Sequence, residues 1–354
     1  MKREEKIHAG IDELDRWLQD LMRQGLASAQ VQSYQFWDSM AARMVDAQAP
    51  GLARRLRDCA GIPHNSRREK DWPQRLLTAL GKLRLLIQGY RRIDSLPFPL
   101  QAELRTQIGW TQKKSDIFAL AEGKGNNDAN YSTVTVQSDN WQVLGIRVLE
   151  EEKFWTQRVW LWGINSDRPA LLLNYAYGRP NFNSMADSAN DSALVNVDLV
   201  PGIILPAQLV FYPSSYPLRA LVKQLTGMVK PLLDFSQSTT VTEALGQYGH
   251  AISQNPWLER MPLVLNGVRP CLADSNSSKP DAYVIDAYVI DAQNSTIAEK
   301  DNDVTTGLPI HPSFGNVWEL LALSGGYPMA IAAEWDGSYL WPLCASVEGR
   351  LVIF

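Results

Sequence analysis

Three arginines fall within four consecutive positions of "PGLARRLRD" (50–58): Arg54, Arg55 and Arg57. Guanidinium groups grip phosphate or carboxylate through paired N–H donors, and Arg54 and Arg57, spaced i,i+3, share one face of a helix. "SRREK" (66–70) adds Arg67, Arg68 and Lys70 a little further on. Together they make a candidate partner-binding surface, for a protein or for the phosphates of a nucleic acid. The same residues have a structural use. Asp46 closes a preceding helical pattern, where the negative end of the helix disfavours an anion, and Arg43, Arg54 or Arg55 is its expected partner. On the sequence both uses stay open.

Other chemistry finds less support. A structural zinc site needs four Cys or His ligands, which usually arrive as close pairs. Cys59, Cys271 and Cys344 lie far apart, and His8, His64, His250 and His311 are scattered. No metal site is expected. "GKGNN" (123–127) lacks the spacing and the strand-to-helix context of a phosphate loop. "SGGYP" (324–328) reads as a turn, not a nucleophile elbow. Glu150, Glu151 and Glu152 end a strand-like run, where alternation sends them to different faces. No catalytic residue and no cofactor is therefore assigned.

These side chains are carried by a chain of 354 residues, 45% hydrophobic and 20% charged, which is ordinary for a globular protein and long enough for two domains. No apolar run reaches the ~18 residues a membrane span requires, and "MKREEKIHAGIDELDRW" has no signal-peptide core. A cytoplasmic location without membrane attachment is expected. Three cysteines, odd in number, argue against a disulfide framework. The net charge of −4 is unevenly spread, basic over residues 1–120 and acidic beyond, as two modules with different surfaces would be.

Spacing supplies the elements. Ile7, Ile11, Leu14, Leu18 and Leu21 line one face of a first helix, widened by Trp17, Met22 and Leu26. Trp37, Met40, Ala41, Met44 and Gln48 line a second, with Phe36 and Val45 beside them. It should stop near Ala47, because Pro50 disfavours the helical region for Ala49 and suits the first turn of a third helix. In that helix Leu52, Leu56 and Cys59 face inward, which turns Arg54 and Arg57 outward. A long helix from Trp72 to Arg92 carries Leu76, Leu80, Leu83, Ile87 and Tyr90, and another restarts behind the prolines of 95–110.

After the linker "AEGKGNNDANYS" (121–132) the character changes to β-branched and aromatic runs separated by turns. These are "STVTVQ", "NWQVLGIRVLE", "FWTQRVWLWGI" and "PALLLNYAYG". Residues 180–206 read as loop, while 215–235 and 240–258 read as helices. The end, from Tyr327, reads as a three-strand meander turning at "WDGS" and "VEGR". The tandem pentamer "DAYVIDAYVID" (281–291) cannot keep one face along a strand and reads as a duplicated piece of edge strand or loop. The fold class is α+β: a helical array (1–120), a linker (121–132) and an antiparallel, sheet-dominated domain with a few helices (133–354).

Four segments resemble a known family. "GIDELDRWLQDLMRQGLAS", "FWDSMAARMVDAQAPGLARRLRD", "YRRIDSLPFPLQAELRTQIGWTQKKSD" and "NVWELLALSGGYPMAIAAEWDGSYLWPL" are similar to the region of bacterial SWIM zinc-finger proteins that follows the finger. The resemblance implies a cytoplasmic accessory factor, of a kind often encoded beside AAA+ ATPases and von Willebrand A-type proteins. Its C-x-C…C-x-H finger would bind nucleic acid or protein. Those ligands are absent here, so either a truncated or split member, with its finger on a neighbouring reading frame, or a stand-alone interaction module is expected. The resulting expectation is a non-enzymatic interaction or adaptor protein with a protein partner. The alternative is a nucleic-acid-associated factor using the basic helical face.

Overall fold

The computed structural model of the chain describes residues 3–65, 72–123, 134–151, 154–180, 182, 199–272, 283–287 and 307–354. The chain is α+β and divides into two compact units: Met1–Thr133 with Pro213–Ser215, and Val134–Tyr212 with Tyr216–Phe354. The expected linker falls largely outside the described residues.

The first unit is helical: α1 (Arg3–Gln24), α2 (Leu26–Val31), α3 (Tyr34–Asp46), α4 (Pro50–Asn65), α5 (Trp72–Arg91), α6 (Phe98–Ile108) and α7 (Lys114–Ala121). The apolar stripes of α1, α3, α4 and α5 are buried along their length, and each large side chain so removed from water contributes about 1.5–3 kcal/mol. Trp17, Phe36 and Trp37 pack as tilted and edge-on rings between α1 and α3. Two details differ from the spacing argument. Gly25, at φ +83°, breaks the first helix, so Leu26 opens α2 and Met22 is exposed. Gln48, at φ +61°, has left α3 and is exposed rather than on its inner face.

The Pro-Gly pair opens α4 as expected, and the glycine has a further reason. A Cβ on Gly51 would overlap the Gln107 carbonyl oxygen and lie 2.8 Å from the carbonyl carbon of Ile108. Gly109, in the left-handed cap of α6, would bring a Cβ within 2.7 Å of Pro50 Cγ. Two glycines thus let the start of α4 meet the end of α6 backbone to backbone.

The second unit holds two antiparallel sheets, built on β1 (Val136–Glu150), β2 (Trp155–Gly163), β3 (Pro169–Ala176), β4 (Ile203–Phe211), β5 (Ala220–Leu225), β6 (Lys230–Pro231), β7 (Met261–Leu272), β8 (Tyr283–Ala287), β9 (Leu308–Pro309), β10 (Met329–Trp335), β11 (Leu340–Val347) and β12 (Arg350–Ile353). The first runs β3-β2-β1-β4-β5 and the second β9-β8-β7-β10-β11-β12. Both close on themselves by the same device, a parallel contact between their third and fifth strands. Leu171 N–H donates to the Leu218 carbonyl just before β5 (2.8 Å), and His311 N–H donates to the Leu340 carbonyl on β11 (2.8 Å). The two sheets therefore repeat one five-strand pairing scheme, with β12 added to the second.

Three cores result. Trp141, Val159, Leu161, Leu172, Leu209 and Phe211 fill the first barrel. Leu265, Ile285, Leu320, Ile331, Trp335 and Leu340 belong to the core of the second. Leu144, Trp160, Trp162, Val264, Ala332 and Leu343 join the two. At the β1 bulge Gly145 makes that junction close, since its Cβ would lie 2.6 Å from Leu343 Cβ.

Helices α8 (Val241–Gln254) and α9 (Val317–Ser324) complete the unit. The first opens on a capping box between Thr240 and Glu243. The meander and both its turns stand as expected, with Gly337, Glu348 and Gly349 at positive φ. Residues 215–235 are not a helix: they form β5 and β6 against β4, where cross-strand pairing outweighs local helical preference and Pro217, Gly227 and Pro231 oppose a helix. The stretch read as loop to 206 already contains the start of β4. Tyr283–Ala287, which runs from the first pentamer copy into the second, forms β8, paired on both sides and so not an edge strand, whereas 281–282 and 288–291 lie outside the described residues.

Candidate functional site

The residues singled out from sequence separate once folded. Arg54 is exposed on α4, while Arg57, half-buried, donates from Nε to Asp38 on α3 at 2.9 Å. Arg55 donates to the Gln107 amide of α6, which in turn donates to the buried Glu103 at 2.6 Å. Arg43 pairs with Glu13 of α1 rather than with Asp46. Asp46 ends α3 exposed, and among the described residues no ion pair to it forms, because the neighbouring α1 offers Arg43 a carboxylate first. Arg67, Arg68 and Lys70 lie outside the described residues.

The strongest ionic cluster of the bundle went unread. Asp15, buried on α1, is held by Arg84 and by Arg91 (2.8 Å), both from α5, and Arg91 also reaches Asp12 at 2.7 Å. The signal was available: Asp15 falls between Leu14 and Leu18 on the stripe that must face inward.

The outer side of α5 is unlike an ordinary solvated face. At 100° per residue, Gln74, Leu77, Thr78, Gly81, Leu85 and Gln88 fall in one strip opposite the core, and none is charged. Leu77 and Leu85 are 48% and 52% exposed, one on each side of Gly81, above which a Cβ would meet nothing within 4 Å. Depletion of charge with aliphatic side chains around a glycine is what a helix-packing surface requires.

In the second unit the most charged place is buried. Glu334 on β10 is 1% exposed and stands where the two barrels meet. Its Oε1 accepts from Arg147 of β1 at 2.5 Å and from Arg260 at 2.8 Å, with Arg158 of β2 at 3.6 Å, and its Oε2 accepts from Trp160 Nε1 at 2.7 Å. Burial alone would raise the Glu334 pKa, but Arg260, Arg147, Arg158 and the indole N–H hold it below the usual carboxylate range. Arg147 also stacks 3.7 Å from the Trp341 ring. Burial, reinforced by Arg260, lowers Arg158, whose Nη1 has no hydrogen-bond partner among the described residues. The site fastens β1, β2 and β10 together. One carboxylate shared by three guanidinium groups leaves local positive charge, offset at longer range by Glu259 and Asp336.

The thiols are poorly suited to nucleophilic work. Burial pushes Cys59 up to about 12 and raises Cys344 further, so both stay protonated at neutral pH. His311 is lowered by burial. Among the described residues no three His, Cys, Asp or Glu side chains converge as a metal would need.

This arrangement defines an α+β protein with a helical bundle and a unit of two repeated antiparallel barrels. Residues 2–108, which span α1 to α6, match the family model of the SWIM-associated four-helix bundle domain. No curated protein and no solved structure matches the chain. The sheet-rich unit lies outside the matched span.

Proposed function

We propose that this chain is a non-enzymatic interaction protein, a cytoplasmic accessory factor whose helical unit docks a protein partner. The observation that carries the reading is the uncharged outer strip of α5, with Leu77 and Leu85 exposed around an open Gly81. A second helix laid along it would bury both leucines, each contributing on the order of 1–2 kcal/mol at partial burial. The match of this unit to a SWIM-associated bundle agrees with a module that accompanies a recognition element. No helix among the described residues is long and apolar enough to cross a membrane.

The test is co-purification of the intact chain from its native cells at about 0.1 M and about 0.5 M salt, beside a Leu77→Asp/Leu85→Asp variant. A burial-driven contact keeps one protein partner at both salt concentrations and loses it in the variant, with far-UV circular dichroism unchanged. Retention of the partner by the variant removes the strip from the interface. Loss at high salt or on nuclease treatment replaces the reading with a nucleic-acid one.

A further inference from the structure

Aromatic side chains line the outside of the first barrel as well as its interior. Across β1, β2 and β3 the outward rows are Gly145–Trp160–Leu171, then Arg147–Arg158–Leu173, then Leu149–Thr156–Tyr175. Trp160 and Leu171 pack in the junction with the second barrel, so this part of the face is covered. Arg147, Arg158 and Thr156 are still covered, and the face opens at the β3 end of the last row. Tyr175 is 49% exposed and Tyr177 80% exposed. Phe154, at the β1–β2 hairpin, has its ring centroid 5.7 Å from Tyr175 and 6.1 Å from Tyr177, so the three rings form one contiguous group. Tyr212 lies within electrostatic reach of Tyr175 and carries the Arg219 guanidinium 4.2 Å above its ring.

Exposed rings in mutual contact mark an interaction surface. Their π-faces accept flat unsaturated groups, and a guanidinium at their margin suits an anion attached to those groups. Arg147 and Arg158, in the row next to Tyr175, are taken up by the buried Glu334, so Arg219, over Tyr212, is the guanidinium at the edge of the rings. Among the described residues the acidic groups nearby are Glu334 with Asp336 and Glu259 around its arginines, Glu150, which turns to the opposite side with its cross-strand neighbour Trp155, and Glu151 at the hairpin. We propose that this face of the first barrel, Phe154, Tyr175 and Tyr177 with Arg219 at its margin, binds single-stranded nucleic acid by base stacking. Five-stranded Greek-key barrels use the face of their second and third strands and the adjoining hairpin loops for oligonucleotides, and this group occupies that position. A fold assigns no ligand by itself, and what selects one here is the contiguous group of exposed rings with Arg219 beside it. With acids close by, stacking outweighs phosphate attraction, so sequence tolerance and shallow salt dependence follow.

The test is fluorescence anisotropy of labelled oligothymidylate and oligouridylate, about twelve nucleotides long, with the intact chain. A matched duplex and the neutral sugar maltohexaose serve as competitors. The expected result is binding of at least one single strand, weakened at least twentyfold by Tyr175→Ala/Tyr177→Ala and held within about twofold by Tyr175→Phe/Tyr177→Phe, which keeps the rings. The slope of log K against log salt should lie between roughly −0.7 and −1.5, as for one or two phosphates. The assignment is overturned if neither single strand binds, if the duplex competes equally, or if maltohexaose displaces the oligonucleotide. It is also overturned if the Ala variant binds as the parent does. Loss on Arg54→Ala/Arg57→Ala with the rings intact would place nucleic acid on α4 instead. Because Leu77→Asp/Leu85→Asp leaves the barrel untouched, failure here and failure of the α5 docking surface give separate results.

Discussion

Glu334 and Arg57 show how differently one kind of contact counts by location. Arg57, half-buried, meets the exposed Asp38 on the bundle surface, and such pairs contribute about 0.2–1 kcal/mol. Arg57→Ala should move the urea midpoint only slightly, and a shift worth more than about 1 kcal/mol would show that Arg57 also packs. Glu334 is buried among three guanidinium groups and an indole N–H. Glu334→Ala leaves Arg147 and Arg158 buried without their anion and should cost about 3–5 kcal/mol in equilibrium unfolding. Glu334→Gln, which keeps the volume and an acceptor for Trp160, should cost less, and equal losses would mean that the charge alone, rather than volume or the indole hydrogen bond, holds the junction. Little of this centre was legible in sequence. "AIAAEW" shows one acid in an apolar strand, a sign that it needs a partner. The partners lie on β1 and β2 and next to β7, and only the barrel pairing brings them to it. The arginines of 54–57 announced themselves by clustering, yet clustering did not say that Arg55 and Arg57 meet other helices.

Helices were legible where burial follows a period and strands where a turn declares itself. The stripe of α5 is an example, because Leu76, Leu80, Leu83 and Ile87 can share a face only in a helix. β5 is the counterexample. Its buried Ala220 and Leu221 are adjacent, fitting neither period, and only pairing with Phe211 and Val210 of β4 settles its form. The start of α4 falls between these cases. Pro50 could be read as a helix opening, whereas Gly51 required knowledge of α6, which arrives 56 positions later at Gln107. Gly51→Ala has the better helix propensity, so a chain without that contact would gain up to about 1 kcal/mol. With the α6 backbone in the way it should lose about 1–3 kcal/mol through displacement of the two helices. Thermal unfolding followed at 222 nm decides the sign. A stabilised variant would show that α4 and α6 do not approach as described. In α8, Thr240→Ala should cost about 1 kcal/mol by removing the acceptor for the Glu243 N–H.

The repeated pairing scheme of the two sheets has no counterpart in any sequence repeat, because backbone hydrogen bonding and bulges carry it while side chains vary freely at each position. What the barrels share with one another is dependence on depressed carboxylates. Asp139 opens this dependence in the first. Burial raises its pKa, but the N–H groups of Asn165, Ser166 and Asn140 outweigh that and lower it. Glu334, between the barrels, is likewise depressed. A carboxylate whose folded pKa lies below its unfolded one stabilises the fold above the ordinary carboxylate range, near pH 4, and loses that contribution as pH falls through the folded value. The sheet unit should therefore weaken progressively as pH drops below about 4.5, and it should not gain stability there. Near-UV circular dichroism reports it through the buried Trp141 and Trp160. Glu334→Gln removes one titrating group, so the variant should be less stable than the parent near pH 7 but lose less between about pH 5 and pH 3, making the two curves converge. Parallel curves would mean that Glu334 keeps the same proton affinity folded and unfolded, and that three arginines around one acid stabilise its charge no better than water does.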